Sequence, residues 1–472
     1  MTRINTNVSS LNAQKTLARS NASLQESLTR LSTGLRINTG KDDPAGLIAS
    51  EVLRSDIISV ERAISNSKRA NQMIATADSA LGQVSSLLND IRGLVSEAAN
   101  TGAMSQEQIA ANQLQIDSSL EAIDRIAQVT QFQGRRLLDG SLDFLTEDVD
   151  SAVLTGVRID QANFGTLDQI DVTIEVVTQA TQAELTHTTA AGTITGDVVL
   201  EIGGKNGFEA FSFADGSSVS DIAQSINLVS DALGVTATVD GTNLVFTANE
   251  YGSDAFVSVR SLNGTAFAVT DAAAATVERT TGTDVDALVN GIKALGKGLT
   301  ATINTASLDL SFSVADSVTD GTTTDFSIVG GGAVFQLGPY VVSNQQARLG
   351  IQSVNTTQLG GVSGNLYELR SGNDKSLAND VIGAAAIVQE TITDIVNLRG
   401  RLGAFQRTTL GTNIASLSDS LEALTEAESD IRDTDFATES ASLTRAQILS
   451  QSGISVLAIA NSNPEAVLSL LR

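Results

Sequence analysis

The chain has 472 residues, a net charge of −25, no cysteine or tryptophan, three prolines, one histidine and 4% aromatic residues. That length supports two or three domains with sizeable cores, while the missing cysteines exclude disulfides, thiolate metal sites and thiol catalysis. The negative charge argues against nucleic acid as a partner, because phosphates require a basic surface.

No run of 18 or more apolar residues occurs, so no membrane-spanning helix is expected. The segment Met1 to Asn7 leads into polar residues without the apolar stretch of a cleavable signal. Charge is unevenly spread. Residues 1–140 hold 14 basic and 14 acidic side chains, residues 141–370 hold 8 and 27, and residues 371–472 hold 7 and 13. A neutral first arm can pack on copies of itself, whereas the acidic middle repels its like and suits a solvated exterior.

The first arm reads as helix. Leu24, Leu28, Leu31 and Leu35 step by four, three and four, as do Leu53, Ile57, Val60 and Ile64. Each run makes a narrow apolar stripe, the seam of a coiled-coil-like bundle. The turn formers from Asn38 to Gly46 interrupt the helix between them. A third run, Leu81, Leu88, Ile91 and Val95, ends at Asn100-Thr101-Gly102, and a fourth carries Leu120, Ile123 and Ala127 on one face.

The middle is different in kind. Val198–Ile202, Leu244–Thr247 and Phe256–Val259 are β-branched or aromatic runs, Asp240-Gly241 is a hairpin signal, and one short helix is expected over Ser220–Ser230. The last arm returns to helix. Ile395, Leu398, Leu402 and Phe405 lead into Leu410, Ile414, Leu417, Leu421 and Leu424. After Asp433-Thr434-Asp435 a final helix places Ala446, Leu449, Gly453, Val456 and Ala460 at the same spacing, and the small residues there permit close helix approach. Asn461-Ser462-Asn463-Pro464 is expected to break it before Leu468, Leu470 and Leu471. The fold class is therefore α+β: long N- and C-terminal helices pair in a coiled-coil-like bundle, and β-rich domains are inserted between them.

Catalytic motifs are not found. His187 has no second histidine to share a metal and reads as a polar surface residue. Gly203-Gly204 before Lys205 lacks the spacing of a phosphate-cradling loop and reads as a tight turn. The sequence has neither a Gly-x-Ser-x-Gly elbow nor a His-Glu-x-x-His helix. The expectation is a non-enzyme with no cofactor and no metal.

Both arms resemble bacterial flagellin. The resemblance rests on Ile4-Asn5-Thr6-Asn7 with Ser10-Leu11 and Ala13-Gln14, on Arg30 to Asn38 followed by Lys41-Asp42-Asp43-Pro44-Ala45-Gly46, and on Gln131-Phe132-Gln133-Gly134 with Leu137-Leu138. At the other end it rests on Arg432 to Ala437 and on Asn463-Pro464 with the terminal leucines. Residues from about 196 to 260, with Ser225-Ile226-Asn227, resemble the Ile-Asn repeat of flagellins and hook-associated proteins, and a fainter copy is expected from about Asp284.

The resemblance implies a secreted structural subunit, exported unfolded through the flagellar type III apparatus, that polymerises into the extracellular flagellar filament used for motility. A hook–filament junction protein is the alternative. It implies an inner-core helix over 1–45, an outer-tube helical domain over 46–140 and 371–430, a surface β region over 141–370 and a C-terminal inner-core helix over 431–472. Leu24, Leu28, Leu31, Leu35, Leu449, Val456, Leu468 and Leu471 would carry the polymerisation core. Implied partners are further copies of the chain, an export chaperone on about Ser440 to Arg472, and the filament cap and hook-associated proteins. Neither nucleic acid nor membrane insertion is implied. The family's Toll-like receptor 5 stretch falls on Leu88, Asn89, Asp90, Ile91, Arg92 and Leu94, where only Arg92 survives of the polar recognition pattern and Asp90 reverses a charge. Weak receptor recognition is expected, because reversing a charge at a buried interface pair costs several kcal/mol.

Overall fold

The computed structural model describes residues 6–263, 267–305 and 307–469, with the side chains from Asn463 onward outside the description. Helices α1 (Val8–Thr33), α2 (Pro44–Ala98) and α3 (Gln106–Val129) precede a β-rich middle that holds α4 (Val219–Asn227) and the single turn α5 (Ser230–Leu233). Then follow α6 (Val381–Ala404), α7 (Thr412–Arg432) and α8 (Phe436–Ser469). The α+β reading is correct. The chain forms two compact units, one drawn from Met1–Gln72, Gln336–Val341 and Ala404–Arg472, the other from Met73–Phe335 and Val342–Gly403.

Local chemistry sets the helix ends. Gly34 closes α1 at φ +76°, a left-handed conformation that costs glycine nothing. Asp43 accepts the Gly46 N–H at 2.9 Å, so α2 opens with a side-chain cap and with Pro44, whose missing N–H is harmless there. Ser105 and Gln108 form a reciprocal capping box on α3. In the second unit, Leu81, Leu88 and Ile91 of α2, Leu120 and Ile123 of α3 and Leu402 of α6 are completely buried. Each is worth about 1.5–3 kcal/mol by area.

Between α6 and α7, Phe405–Gly411 is π-helical. The expected stepping by fours and threes fails there, because Phe405 and Leu410 are five residues apart. A π turn inserts one residue per turn, which lets both side chains be buried. The helical stretch Val381–Arg432 is also long and apolar enough, by length and composition, to cross a membrane. Its Ile387, Val388, Ile395, Leu398 and Leu402 are buried within the fold, as in the core helix of a folded domain.

The β-rich middle contains two hydrophobic cores, one inserted within the other along the sequence. The outer one runs from Phe144 to Ala180 and resumes at Val285. It is built from a five-stranded and a four-stranded antiparallel sheet. The inner core, Ala183 to Val269, lies among a three-stranded sheet, a four-stranded sheet and α4. Asp284 stands where the chain returns from the inner core. Its carboxylate accepts the Ser253 N–H at 2.9 Å and the Gly298 N–H at 2.8 Å.

The Ile-Asn pair acquires a physical meaning here. Ile226 is completely buried, and the Asn227 amide both donates to and accepts from the Ala237 backbone, at 2.8 Å each way. One side chain thereby clips α4 to the strand Val235–Asp240. The fainter copy expected from about Asp284 does not form. Strands from Asp286 to Val314 complete the other core, with no helix among the described residues there.

At the root of the outer core, Arg158 on the strand Leu154–Ala162 lies 3.5 Å from Asp160 and 3.3 Å from Asp394 of α6, and Arg401 of α6 pairs with Asp160. Burial, reinforced by the neighbouring Arg158, lowers the Arg401 pKa to about 10. Burial raises that of Asp394, against the pull of Arg158. Such a cluster costs desolvation but becomes strongly destabilising once one partner is removed, which fixes α6 against this strand.

His187 is not the free surface residue expected. It is half-buried and stacks on Phe267 with ring centroids 3.6 Å apart, its Nδ1 bonded to the Ala268 carbonyl at 2.7 Å. Burial depresses its pKa and outweighs the opposing pull of that carbonyl. The folded state therefore prefers neutral imidazole. Its contribution is complete above the ordinary histidine pKa of about 6.5 and is lost as pH falls from there toward the folded-state value. Between pH 7.5 and pH 5 the melting temperature of the native protein should fall more than that of His187→Gln; equal falls would contradict this account.

Candidate assembly interface

Helices α1 and α8 lie side by side and antiparallel. Asn7 meets Ala460, Leu17 meets Gly453, Asn21 meets Ser450 and Arg30 meets Glu439, so position falls along α8 as steadily as it rises along α1. The seam uses small residues. On α1 the most buried are Ser10, Ala13, Ser20 and Ser27; among the described side chains of α8 they are Glu439, Ala446 and Ala460, which with Gly453 form a strict seven-residue repeat. An added Cβ on Gly453 would lie 3.1 Å from Leu17 Cδ1, so glycine permits the approach there. A seven-residue repeat of small positions brings two backbones close along a left-handed crossing.

Polar ties fix the register. Asn7 Nδ2 donates to the Ala460 carbonyl at 2.7 Å, Ser10 Oγ to Asn461 Oδ1 at 2.6 Å and Ser450 Oγ to Asn21 Oδ1 at 2.8 Å. At the other end Arg30 lies 3.6 Å from the nearly buried Glu439.

The two most distinctive sequence motifs meet just beyond this seam. Leu35 bridges to Asp433, the Arg36 N–H donates to the Arg432 carbonyl at 2.7 Å, and the Thr434 N–H donates to the Gly34 carbonyl at 2.9 Å. The Asp42 carboxylate holds its loop by accepting the Thr39 N–H at 2.8 Å and the Asn38 N–H at 3.1 Å, contacts that lower its pKa. Ile37, which is 1% exposed, plugs the corner.

The expected core residues divide into two groups. Leu24 and Leu31 are half-buried on the seam face, and Leu35 lies in the bridge to Asp433 just after α1. Leu28, Leu449 and Val456 remain about half exposed, at 48%, 51% and 53%. Leu468 lies in α8 with its side chain outside the description, and Leu471 lies outside the described residues. The leucine stripe is thus not a single intramolecular seam. Serines and alanine occupy positions that a count of large apolar residues passes over, and the three-and-four alternation of Ser20, Leu24, Ser27 and Leu31 was the available signal.

The outward faces of the pair are unusually apolar. Val8 (66%), Leu11 (57%), Ile448 (61%), Ile454 (57%) and Ile459 (62%) are all exposed. Apolar side chains left exposed in this number on one helix pair are the raw material of an interaction surface. In the receptor-type stretch on α2, Leu88 and Ile91 are completely buried and Leu94 is half-buried, leaving Asn89, Asp90 and Arg92 exposed.

The sequence carries three family matches. The bacterial flagellin N-terminal helical region matches residues 4–143, the flagellin C-terminal helical region residues 385–471, and the flagellin hook IN motif residues 199–250. The chain is 31% identical to a B-type flagellin of Pseudomonas aeruginosa and 30% identical to a flagellin of Salmonella typhimurium, in each case over 99% of both chains. It is 28% identical to flagellin B of Helicobacter pylori, over 100% of this chain and 99% of that one.

Overpacking the seam tests the pairing. Gly453→Leu forces extra volume against Leu17 and should cost about 1–3 kcal/mol, whereas Gly453→Ala should be nearly neutral. Circular dichroism melts that did not separate the two variants would remove the close approach from the account.

Proposed function

The chain belongs to the bacterial flagellin family, a family of structural proteins whose members form the flagellar filament, and we propose that α1 and α8 carry its polymerisation. The apolar outer faces of that pair support the reading, because a single copy leaves Leu28, Leu449 and Val456 in water. Covering them with helices of neighbouring copies recovers burial energy that the isolated chain forgoes. Leu24, Leu31 and Leu35 would hold the pair together, and Leu468 and Leu471 are assigned to the polymerisation core on the family resemblance alone.

The division proposed is an inner core from residues 1–45 and 431–472, a surrounding helical layer from 46–140 and 371–430, and an exposed β region from 141–370. The acidic balance of the β region suits an exterior, since like charges there keep neighbouring surfaces apart and solvated. The neutral first arm suits close packing of many copies. Full-length similarity to filament flagellins favours this reading over a hook–filament junction protein.

The function proposed is motility, with export of the unfolded chain through the flagellar type III apparatus to an extracellular filament. A dedicated chaperone would cover about Ser440 to Arg472, whose exposed Ile448, Leu449 and Ile454 need protection before assembly. The cap and hook-associated proteins are the further partners. Recognition by Toll-like receptor 5 would be weak, because the exposed positions of the stretch carry Asn89 and the wrong-signed Asp90.

Two measurements test this reading. The double substitution Leu449→Glu with Val456→Glu should abolish sedimentable filaments while leaving the β-rich cores folded; filaments of normal yield would overturn the assembly role of these residues. In a receptor reporter assay on purified monomer, Asp90→Arg should raise the response at least several-fold; an unchanged response would sever Asp90 from recognition.

A further inference from the structure

Pro464 stands inside α8, which runs on to Ser469 instead of breaking at Asn461-Ser462-Asn463-Pro464 as the sequence suggests. A proline there has no N–H for the carbonyl four residues back, which belongs to Ala460. That carbonyl is the one that accepts Asn7 Nδ2, at 2.7 Å. Asn7 Oδ1 at the same time accepts the Ser10 N–H at 3.0 Å as the N-cap of α1. A single amide therefore caps one helix with its oxygen and repairs the other with its nitrogen.

Ala460 is 6% exposed, so water has little access to replace the missing donor. Ser10 Oγ reinforces the site one residue further on, through Asn461 Oδ1 at 2.6 Å. We propose that Asn7 and Pro464 form a conditional lock: the helix beyond Ala460 is stable only when α1 is seated against α8. In a chain whose ends are apart, the Ala460 carbonyl has no donor and the proline ends the helix as its local chemistry dictates. Pairing supplies the donor, and the last turns of α8, as far as Ser469, become helical together with the seam. The lock makes the C-terminal end of the assembly surface depend on the N-terminal end of the same molecule.

The inference deepens the assembly reading and rests on it, but its test separates the two. Asn7→Ser keeps a good helix cap and is too short to reach the Ala460 carbonyl as well. Hydrogen exchange is measured on sedimented protein, with backbone amides of residues 461–469 compared with residues 440–455 of the same helix. Asn7→Ser should lower protection of the first group about tenfold, the scale of one hydrogen bond, and leave the second unchanged. Adding Pro464→Ala returns an N–H to the Ala460 carbonyl and should restore protection although Asn7 is gone. Unchanged protection in Asn7→Ser, or no recovery in the double variant, overturns the lock. If Asn7→Ser does not sediment, Pro464→Ala must restore sedimentation; failure to do so also overturns it. Failure of the unsubstituted protein to sediment would refute the assembly reading instead.

Discussion

Close approach of α1 and α8 through small side chains is the constraint from which the rest of the molecule follows. Ala446, Gly453 and Ala460 recur every seven residues against Ser10, Ala13, Ser20 and Ser27. A seam of this kind buries little apolar area, so hydrophobic burial alone cannot define which residue faces which. Polar contacts do so instead, from Asn7 with Ala460 at one end to Arg30 with Glu439 at the other. The same economy leaves the large apolar residues, such as Leu449 and Ile459, facing outward. A pair built in this way is well registered but incompletely covered, and further copies of the chain are what the proposal sets around it.

The loops that end this pair convert its register into a corner. Gly34 and Arg36 exchange backbone hydrogen bonds with Thr434 and Arg432, so the turn after α1 and the turn before α8 are one object. Asp42 and Asp43 then hold the backbone that leads into α2. The density of recognisable sequence in these two short segments has a plain cause. Each contains capping carboxylates, a left-handed glycine or a buried plug at a fixed distance from the next, and few residue types satisfy any of these positions.

The β-rich region obeys different physics. Its two cores are closed, with Phe312 and Phe246 completely buried, and each is internally satisfied by strand pairing. Its surface carries most of the net negative charge of the chain. Like charges oppose self-association of such a region. The half-buried ionic cluster of Arg158, Asp160, Asp394 and Arg401 joins it to α6, a connection made by charge where a flexible linker would have left it free.

Periodicity determined the helices and the strands around Val198, Leu244 and Phe256, because these depend on neighbours three, four or two residues away. It also located the small residues of α8, and the motifs identified the family. Other features depend on groups far apart in the chain and were decided only by the tertiary structure. The π segment at Phe405–Gly411 exists because Phe405 and Leu410 must both be buried. His187 lost its expected exposure to Phe267, eighty residues away along the chain. The leucine stripe split because serines of α1 face small residues of α8, so that Leu28 was left outside. Pro464 gives the sharpest contrast. Local chemistry reads it as a helix end, and it is not one because an amide at position 7 supplies the hydrogen bond that the proline cannot.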